Sequence, residues 1–392
     1  MNLDVANTIR VSCAPALAEY LAKEIEALGY SATGQYDTGV DLTGTLGDAM
    51  RLNLYLRTAM NVLYFLREFP CSTVEDLYRE VGFIDWEHWL DPDGYLSVVS
   101  RVDTPSVNNE TFANKKVKDA IVDRIQDKAG RRPNSGPGRD RFVVNLFWFK
   151  DRCWLYFNTS GAKLSNRGYR KIPHSAPMVE TLAAGVLMAA GYDGRMPLVN
   201  PMCGSGTLAI EAALMATGRP PGLLRSNYGF MHALGFDDQA WQVIRREARK
   251  VRAESPPGRI IASDIDPQAV DAARRNAATA GVDQLIEFHV CDFADTPLPE
   301  ETGMVMLNPE YGERLGKMSE LEVTYKRIGD FFKQRCPGWT GYVFTGNMEL
   351  AKKVGLRASR RIPFFNARIE CRLLKYELYP GTRRRVVETP SH

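Results

Sequence analysis

The sequence predicts an α/β protein whose second half folds as a doubly wound, mostly parallel sheet, preceded by a separate α+β region. Three observations lead there. From residue 177 onward, helix-like and strand-like segments alternate, the pattern that builds a parallel sheet with helices on both faces. A glycine-containing loop, Asn200-Pro201-Met202-Cys203-Gly204-Ser205-Gly206-Thr207, lies between a predicted strand and a predicted helix. Polar side chains stand at the ends of four successive predicted strands, at Asn200, Asp264, Asp292 and Asn308. Open α/β sheets bind their ligands at such strand ends.

In the first third, Leu17, Leu21, Ile25 and Leu28 fall at helical spacing and Gly29 follows as the expected stop. Val40 to Thr45 alternates as a strand does, and a second helix is expected from Asp48 to about Thr58. Tyr95 to Val102 is β-prone. Lys115 to Ile125 places Val117, Ile121 and Ile125 on one helical face. Arg131 to Arg141 reads as a Gly/Pro/Arg loop, followed by strands Phe142–Phe149 and Cys153–Asn158 around a Lys150-Asp151 turn. Residues 161–176, polar with Ser, Gly and Pro, read as a domain junction.

Beyond the junction the expected order is helix Pro177–Ala190, strand Leu198–Asn200, helix Thr207–Thr217, strand Arg259–Ser263 and helix Pro267–Ala280. Strands Ile286–Val290 and Met304–Leu307, helix Leu321–Arg335 and strand Gly341–Thr345 complete it. Ser319 and Glu322 have the spacing of a capping box for the Leu321 helix. Residues 380–392 are polar and Pro-bounded, as a disordered tail is.

Composition narrows the function classes. Of 392 residues, 44% are hydrophobic and 25% charged, ordinary for a globular protein with real cores. No apolar run reaches the ~20 residues that span a bilayer, and the chain opens on no signal peptide. Cysteines at 13, 71, 153, 203, 291, 336 and 371 form no Cys-x-x-Cys pair, which fits reduced thiols in a cytoplasmic protein. The five histidines show no ligand spacing, so no metal site is expected. Net charge is only +3. Basic clusters such as Lys115-Lys116-Val117-Lys118, Arg245-Arg246 and Arg383-Arg384-Arg385 are solvated faces taken singly, and become candidate RNA contacts only beside a base-directed motif.

The glycine loop is built for close backbone approach at a helix N-terminus. Gly204-x-Gly206-x-x-Ala209 also fits a dinucleotide pattern, but the acid expected ~20 residues on in that fold is displaced to Asp264. Asp264-Ile265-Asp266 offers a carboxylate to ribose hydroxyls and Ile265 to an adenine face, while Asp266-Pro267 also reads as a helix cap. Asp292 suits the adenine amine and Phe293 its ring. Together they favour S-adenosylmethionine over a nicotinamide cofactor.

The acceptor half is Asn308-Pro309-Glu310-Tyr311, after the apolar run Met304–Leu307. The Asn308 side-chain oxygen and the Pro309 carbonyl can both accept from an exocyclic –NH₂ group, and the Tyr311 ring can stack on the base. Such an amine is a poor nucleophile because its lone pair is delocalised; two acceptors on its hydrogens favour the pyramidal form. Methyltransferases of this kind usually read Asn-Pro-Pro-Tyr, so Glu310 is a departure. A carboxylate there can accept from both N1–H and N2–H₂ of guanine; the alternative is a solvent-facing loop residue.

With these strings in hand, the chain resembles the THUMP-domain class I methyltransferases that modify guanine N2 in RNA, and within them the bacterial large-subunit ribosomal RNA enzymes of the RlmL type. The resemblance rests on Asn158-Thr159-Ser160-Gly161, Arg167-Gly168-Tyr169-Arg170, Ala176-Pro177 with Thr181-Leu182-Ala183-Ala184, Met202–Thr207 with Ile210-Glu211-Ala212-Ala213, Asn308-Pro309-x-Tyr311-Gly312-Glu313-Arg314-Leu315, and Asn366–Cys371, which resembles the family's C-terminal strand. It implies a Rossmann-like class I methyltransferase domain with a seven-stranded sheet over 177–379, carrying a helical insertion at about 218–258. A ferredoxin-like plus THUMP RNA-binding region would precede it over 1–160. It implies S-adenosylmethionine as cofactor and 23S ribosomal RNA or a pre-ribosomal particle as partner. Asn200, which stands where Asp is usual, would hold the ammonium of the donor. Other functions compatible with the same residues are a transfer-RNA guanine-N2 enzyme, an adenine-N6 enzyme, and a catalytically silent RNA-binding factor. Oligomeric state is not legible.

Overall fold

The computed structural model describes residues 5–107, 109–172, 178–250, 253, 255–312 and 318–380. The chain divides into two compact units, one of residues 1–168 with 219–252 and one of residues 169–218 with 253–392.

The first unit begins β1 (Asn7–Cys13), α1 (Ala18–Ala27), β2 (Ala32–Tyr36), β3 (Gly39–Gly44), α2 (Leu46–Tyr55) and β4 (Ala59–Pro70). It continues α3 (Val74–Gly82), β5 (Tyr95–Asp103), α4 (Glu110–Ala129), β6 (Asn134–Ser135), β7 (Phe142–Phe149) and β8 (Arg152–Asn158). The strands form one eight-stranded sheet in the order β2-β3-β1-β4-β8-β7-β5-β6. The long β4 joins its halves, pairing β1 on one side and β8 on the other. The spacing read from the sequence holds at the core: Leu17 just before α1, Leu21 and Ile25 within it, and Val117, Ile121 and Ile125 of α4 are fully buried. Helix α2 starts earlier than expected, because Thr45 and Asp48 form a capping box that places the first turn at Leu46. Helix α4 is longer than its apolar stripe, with Asn109 capping its start and Gly130 ending it at φ +69°. The loop expected over 131–141 contains the short β6.

The second unit opens with α5 (Glu180–Ala190), β9 (Leu198–Pro201) and α6 (Thr207–Ala216). The chain then returns to the first unit over 219–252, which includes α7 (Asp238–Lys250). The insertion expected at about 218–258 thus lies within the sequence of the methyltransferase region, and its residues 219–252 fold with the first unit. Arg225 is the reason. Its buried guanidinium donates to the carbonyls of Ser160, Ala162, Lys163, Asn166 and Asn227 and lies 4.8 Å over the Tyr228 ring. A buried cation is tolerated only with its N–H groups occupied in this way. Tyr228 stacks on Phe230, and Trp241 of α7 meets both edge-on. Gly161 and Gly229 are in such close backbone contact that a Cβ on Gly229 would come within 2.3 Å of the Asn158 carbonyl.

The second unit resumes with β10 (Ile260–Asp264), α8 (Pro267–Ala280), β11 (Glu287–Val290), β12 (Met304–Leu307), α9 (Met318–Arg335), β13 (Thr340–Thr345), α10 (Met348–Lys353), β14 (Arg360–Asn366) and β15 (Ile369–Glu377). Its seven-stranded sheet runs β11-β10-β9-β12-β13-β15-β14. The first five strands are parallel, and β15 alone runs against them, pairing antiparallel with β13 on one side and β14 on the other. Ser319 lies inside the first turn of α9, so the expected capping box does not open that helix. Asn366 to Cys371 is not one strand: Asn366 ends β14, Ala367 (φ +55°) and Arg368 make the tight turn, and Ile369 to Cys371 open β15. The expected tail beyond 380, and Ala176-Pro177 and Glu313-Arg314-Leu315, lie outside the described residues. Among the described residues no helix is long and apolar enough to cross a membrane, and no cluster of three or more His, Cys, Asp or Glu could hold a metal ion.

Candidate active site

Four parallel strands lie side by side as β11, β10, β9 and β12. Asp292, Asp264, Asn200 and Asn308 stand at their carboxyl ends. Chain order reverses between β9 and β12, the switch point at which such sheets bind ligands. The fold thus brings together the four strand-end residues singled out in the sequence.

The loop after β9 is held in a strained, specific shape. Met202, Gly204 and Gly206 have φ of +60°, +53° and +82°. The Cys203 N–H donates to the Ser263 carbonyl at 2.9 Å and the Gly204 N–H to Asp264 Oδ2 at 2.9 Å. The other Asp264 oxygen accepts from the Asp266 N–H at 3.1 Å. Asp264 thus braces two loops, while Asp266 caps α8 by accepting from the Gln268 N–H. A Cβ on Gly204 would meet nothing within 4 Å, so this loop has open space above it; one on Gly206 would lie 2.8 Å from the Ala273 Cβ. Pro201, Ser205 and Thr207 are buried beneath the loop. Cys203 is buried too, and burial pushes its thiol well above the ordinary range, which makes it packing rather than a nucleophile.

Asn200 is 1% exposed. Its Nδ2 donates to the Met306 carbonyl of β12 at 2.9 Å, which leaves Oδ1 buried without a partner. Ile265 is 68% exposed, a bare apolar side chain at a strand end. Phe293 departs from expectation. It is in the core, edge-on to Phe331, with the Arg327 guanidinium 4.8 Å over its ring, so its face is not offered to a ligand. Burial raises the Asp292 carboxyl, but the Arg327 ion pair at 2.8 Å and the Ala294 N–H prevail and hold it below the usual carboxylate range.

In the loop after β12, Asn308 Oδ1 is buried and unpartnered, the second such oxygen at the switch point. Pro309 is buried and Glu310 exposed. Tyr311 is fastened from several sides. Its hydroxyl accepts from Asn366 Nδ2 at 2.9 Å and from the Cys371 thiol at 3.7 Å, and its ring is edge-on to Phe344. Burial raises its phenol far above the ordinary value. A Cβ on Gly346 would fall 2.9 Å from two of its ring carbons.

Sequence reasoning missed the strap behind the loop after β9. Arg170 donates to Thr207 Oγ1 at 3.0 Å and to the Met178 carbonyl at 2.6 Å, and pairs with Glu180. Tyr169 donates to Glu211 at 3.2 Å. Asn276 of α8, fully buried, accepts from the Lys171 and Ile172 N–H groups and donates to the carbonyls of Ile172 and Ser205. Residues 169–172 are therefore part of the site's frame rather than a passive junction. A signal existed: an Asn in mid-helix among alanines is a poor helix former unless its side chain is occupied.

The fold and the strand-end site define a class I methyltransferase fold. Family models match three stretches: an RMKL-like methyltransferase domain over residues 167–375, an RlmL ferredoxin-like domain over 8–63 and a THUMP domain over 71–158. The chain belongs to the RMKL-like methyltransferase family. It is 37% identical over 369 residues to the ribosomal RNA large subunit methyltransferase K/L of Syntrophotalea carbinolica, covering 91% of this chain and 52% of that protein. It thus spans about half the length of the curated K/L relatives it matches. A protein of Synechocystis sp. named as a candidate RNA methyltransferase is 34% identical and is covered to 93% of its length, with 91% of this chain. The crystal structure of a candidate methyltransferase complexed with SAH superposes with a TM-score of 0.86 at 26% identity, covering 98% of this chain and 100% of that one.

Proposed function

We propose that this chain is an S-adenosylmethionine-dependent methyltransferase acting on the exocyclic N2 amine of a guanine in RNA, in large-subunit (23S) ribosomal RNA above other RNAs. The observation that carries the reading is Asn308 Oδ1, a buried acceptor without a donor, at the switch point beside the glycine loop. A buried oxygen left unpaired costs about 1–3 kcal/mol, which an incoming N–H group would relieve. The names of the K/L relatives and the THUMP match support an RNA substrate.

The residues present fit the donor. Asn200 Oδ1 is an orphan acceptor of the kind an ammonium requires, Gly204 leaves open approach, and Ile265 bares an apolar surface beside the Asp264 carboxylate. Bound there, S-adenosylmethionine supplies an electrophilic methyl group. The chain's own task is to hold the acceptor. Asn308 Oδ1 and the Pro309 carbonyl take the two amine hydrogens, and the fastened Tyr311 ring supports the base plane. A purine must first be extruded from its stack, at a cost of a few kcal/mol. Most of the acceleration then comes from orientation. The amine proton becomes acidic only as the new N–C bond forms and leaves by Asn308 to water, so no strong base is needed. Glu310, exposed on the same loop, accepts from guanine N1–H and selects guanine over adenine, whose N1 is an acceptor.

Asn308→Ala should lower methyl transfer by about 100-fold or more while affinity for S-adenosylhomocysteine stays within about twofold of wild type. Glu310→Pro should lower activity on guanine. Nucleoside mass mapping of ribosomal RNA from cells lacking the protein should show one N2-methylguanosine missing. Unchanged N2-methylguanosine there, or product appearing as N6-methyladenosine with the purified chain, would sink the proposal.

A further inference from the structure

The β14–β15 hairpin turn lies against the acceptor loop. Asn366 and Cys371, at either side of the turn, both bond the Tyr311 hydroxyl. A Cβ on Gly346 would lie 2.8 Å from Ile369 Cγ2 and 2.9 Å from two Tyr311 ring carbons, so the two side chains converge over that glycine. Yet Ile369 is 49% exposed, an apolar group in water next to the proposed base-stacking ring. Arg368 beside it is exposed and makes no ion pair or hydrogen bond among the described residues. The one acid within the turn's reach along the chain, Glu370, is already paired with Arg372. The turn therefore presents one bare apolar group and one uncompensated cation.

We infer that this turn is a nucleotide-binding element for the RNA flanking the extruded base. Ile369 packs on the base next to the target, taking the place that the extruded base leaves, and Arg368 pairs with the adjoining phosphate. Extrusion leaves a neighbouring base with one face unstacked, and proteins that unstack bases cover such faces with apolar side chains. A cation one residue away matches the regular alternation of base and phosphate along a strand. The tether to Tyr311 gives this pairing its use: the element that grips the flank is bolted to the ring that supports the target.

The inference rests on the reading of the site as an RNA methyltransferase, and two measurements separate their failures. Binding of an unmodified 23S ribosomal RNA transcript is measured across a salt series with S-adenosylhomocysteine present, and methyl transfer to the same transcript is measured with S-adenosylmethionine. Ile369→Ala should weaken binding and raise the RNA KM by about fivefold or more. Arg368→Ala should do likewise and reduce the slope of log affinity against log salt by about one, while Arg368→Lys restores that slope. In each, kcat, the thermal midpoint and S-adenosylhomocysteine affinity should stay at wild-type values, which a merely structural role would not predict. If wild type binds the transcript without methylating it and the variants still weaken binding, the flank element stands and the functional reading falls. If Ile369→Ala and Arg368→Ala leave binding, KM and salt slope unchanged, the flank element is overturned.

Discussion

Gly206→Ala tests whether the loop after β9 is held as described. Two penalties act at this position. An alanine at φ +82° sits in the left-handed region, at about 1–2 kcal/mol. Its Cβ would also lie 2.8 Å from the Ala273 Cβ and 3.1 Å from the Ala273 Cα. Gly206 caps α6 and Ala273 lies within α8, so neither yields freely, and overpacking of this kind costs about 1–3 kcal/mol. The expected loss of stability is therefore about 2–5 kcal/mol, read from urea unfolding of the ligand-free chain. Ala273→Gly opens the space at a cost of about 1 kcal/mol in the α8 interior. The double variant should be more stable than the sum of the single changes by about 1–2 kcal/mol, because the contact is relieved and the backbone strain is not. Affinity for S-adenosylhomocysteine should fall about tenfold or more in Gly206→Ala, measured by calorimetry. Wild-type stability and affinity in Gly206→Ala would refute the packing of α6 against α8. Strict additivity would refute the contact and leave backbone strain as the whole effect.

Other perturbations probe the frame around that loop. Asn276→Ala removes four hydrogen bonds to the strap and to Ser205; a loss of about 2–4 kcal/mol is expected in chemical denaturation, and Asn276→Asp should not recover it, because it keeps the accepting oxygen but turns a second oxygen toward the Ile172 and Ser205 carbonyls. Asn200→Ala should weaken S-adenosylhomocysteine, which carries an ammonium, but not methylthioadenosine, which lacks one; equal weakening of both in competition binding would remove Asn200 from that role. The depressed Asp292 carboxyl stabilises the fold above the ordinary carboxylate range and loses that contribution as pH falls through its lowered pKa. Stability curves of wild type and Arg327→Ala should accordingly be separate above the ordinary aspartate range and converge as pH falls below it. Residues 1–168 alone should fail to unfold cooperatively, whereas the same residues joined to 219–252 should, since Arg225 otherwise leaves its carbonyl partners without their cation.

What the sequence revealed and what it hid follow from the range of the interactions. Periodic burial is local, so Val117, Ile121 and Ile125 announced α4 and the runs at 142–149 and 153–158 announced a hairpin. Strand β4 was silent because its register shifts between Phe65 and Arg67, which breaks the alternation that marks a strand. Strand ends were legible as a class because Asn200, Asp264, Asp292 and Asn308 each follow an apolar run. Their partners were not. Phe293 looked like a ring for adenine, but whether an aromatic after a strand turns outward depends on Phe331 and Arg327, more than thirty residues away. The unit with which the insertion folds was hidden for the same reason. Residues 219–252 sit between two strands of one sheet in sequence, yet the acceptors of Arg225 lie around residue 160, and no local pattern connects them.

The departure of Asn200 from the usual Asp acquires a physical reason in the structure. Adjacent strands pair Leu198 with Met304 and Val199 with Val305, so the next step sets residue 200 level with Met306, whose carbonyl accepts the Asn200 amide at 2.9 Å. An aspartate in that rotamer would turn a second oxygen toward this carbonyl and repel it. The amide instead ties β9 to β12 at the switch point and fixes which way its own oxygen faces. Asn308 follows on the same neighbouring strand, two residues beyond Met306, and also keeps a buried oxygen unpaired. Two orphan acceptors on adjacent strand ends are expensive for a fold to maintain, at about 1–3 kcal/mol apiece. One cross-strand hydrogen bond sets the direction of the first and the register of the strand that carries the second. The donor and acceptor halves of the proposed reaction are thereby aligned by the sheet itself, before any ligand arrives.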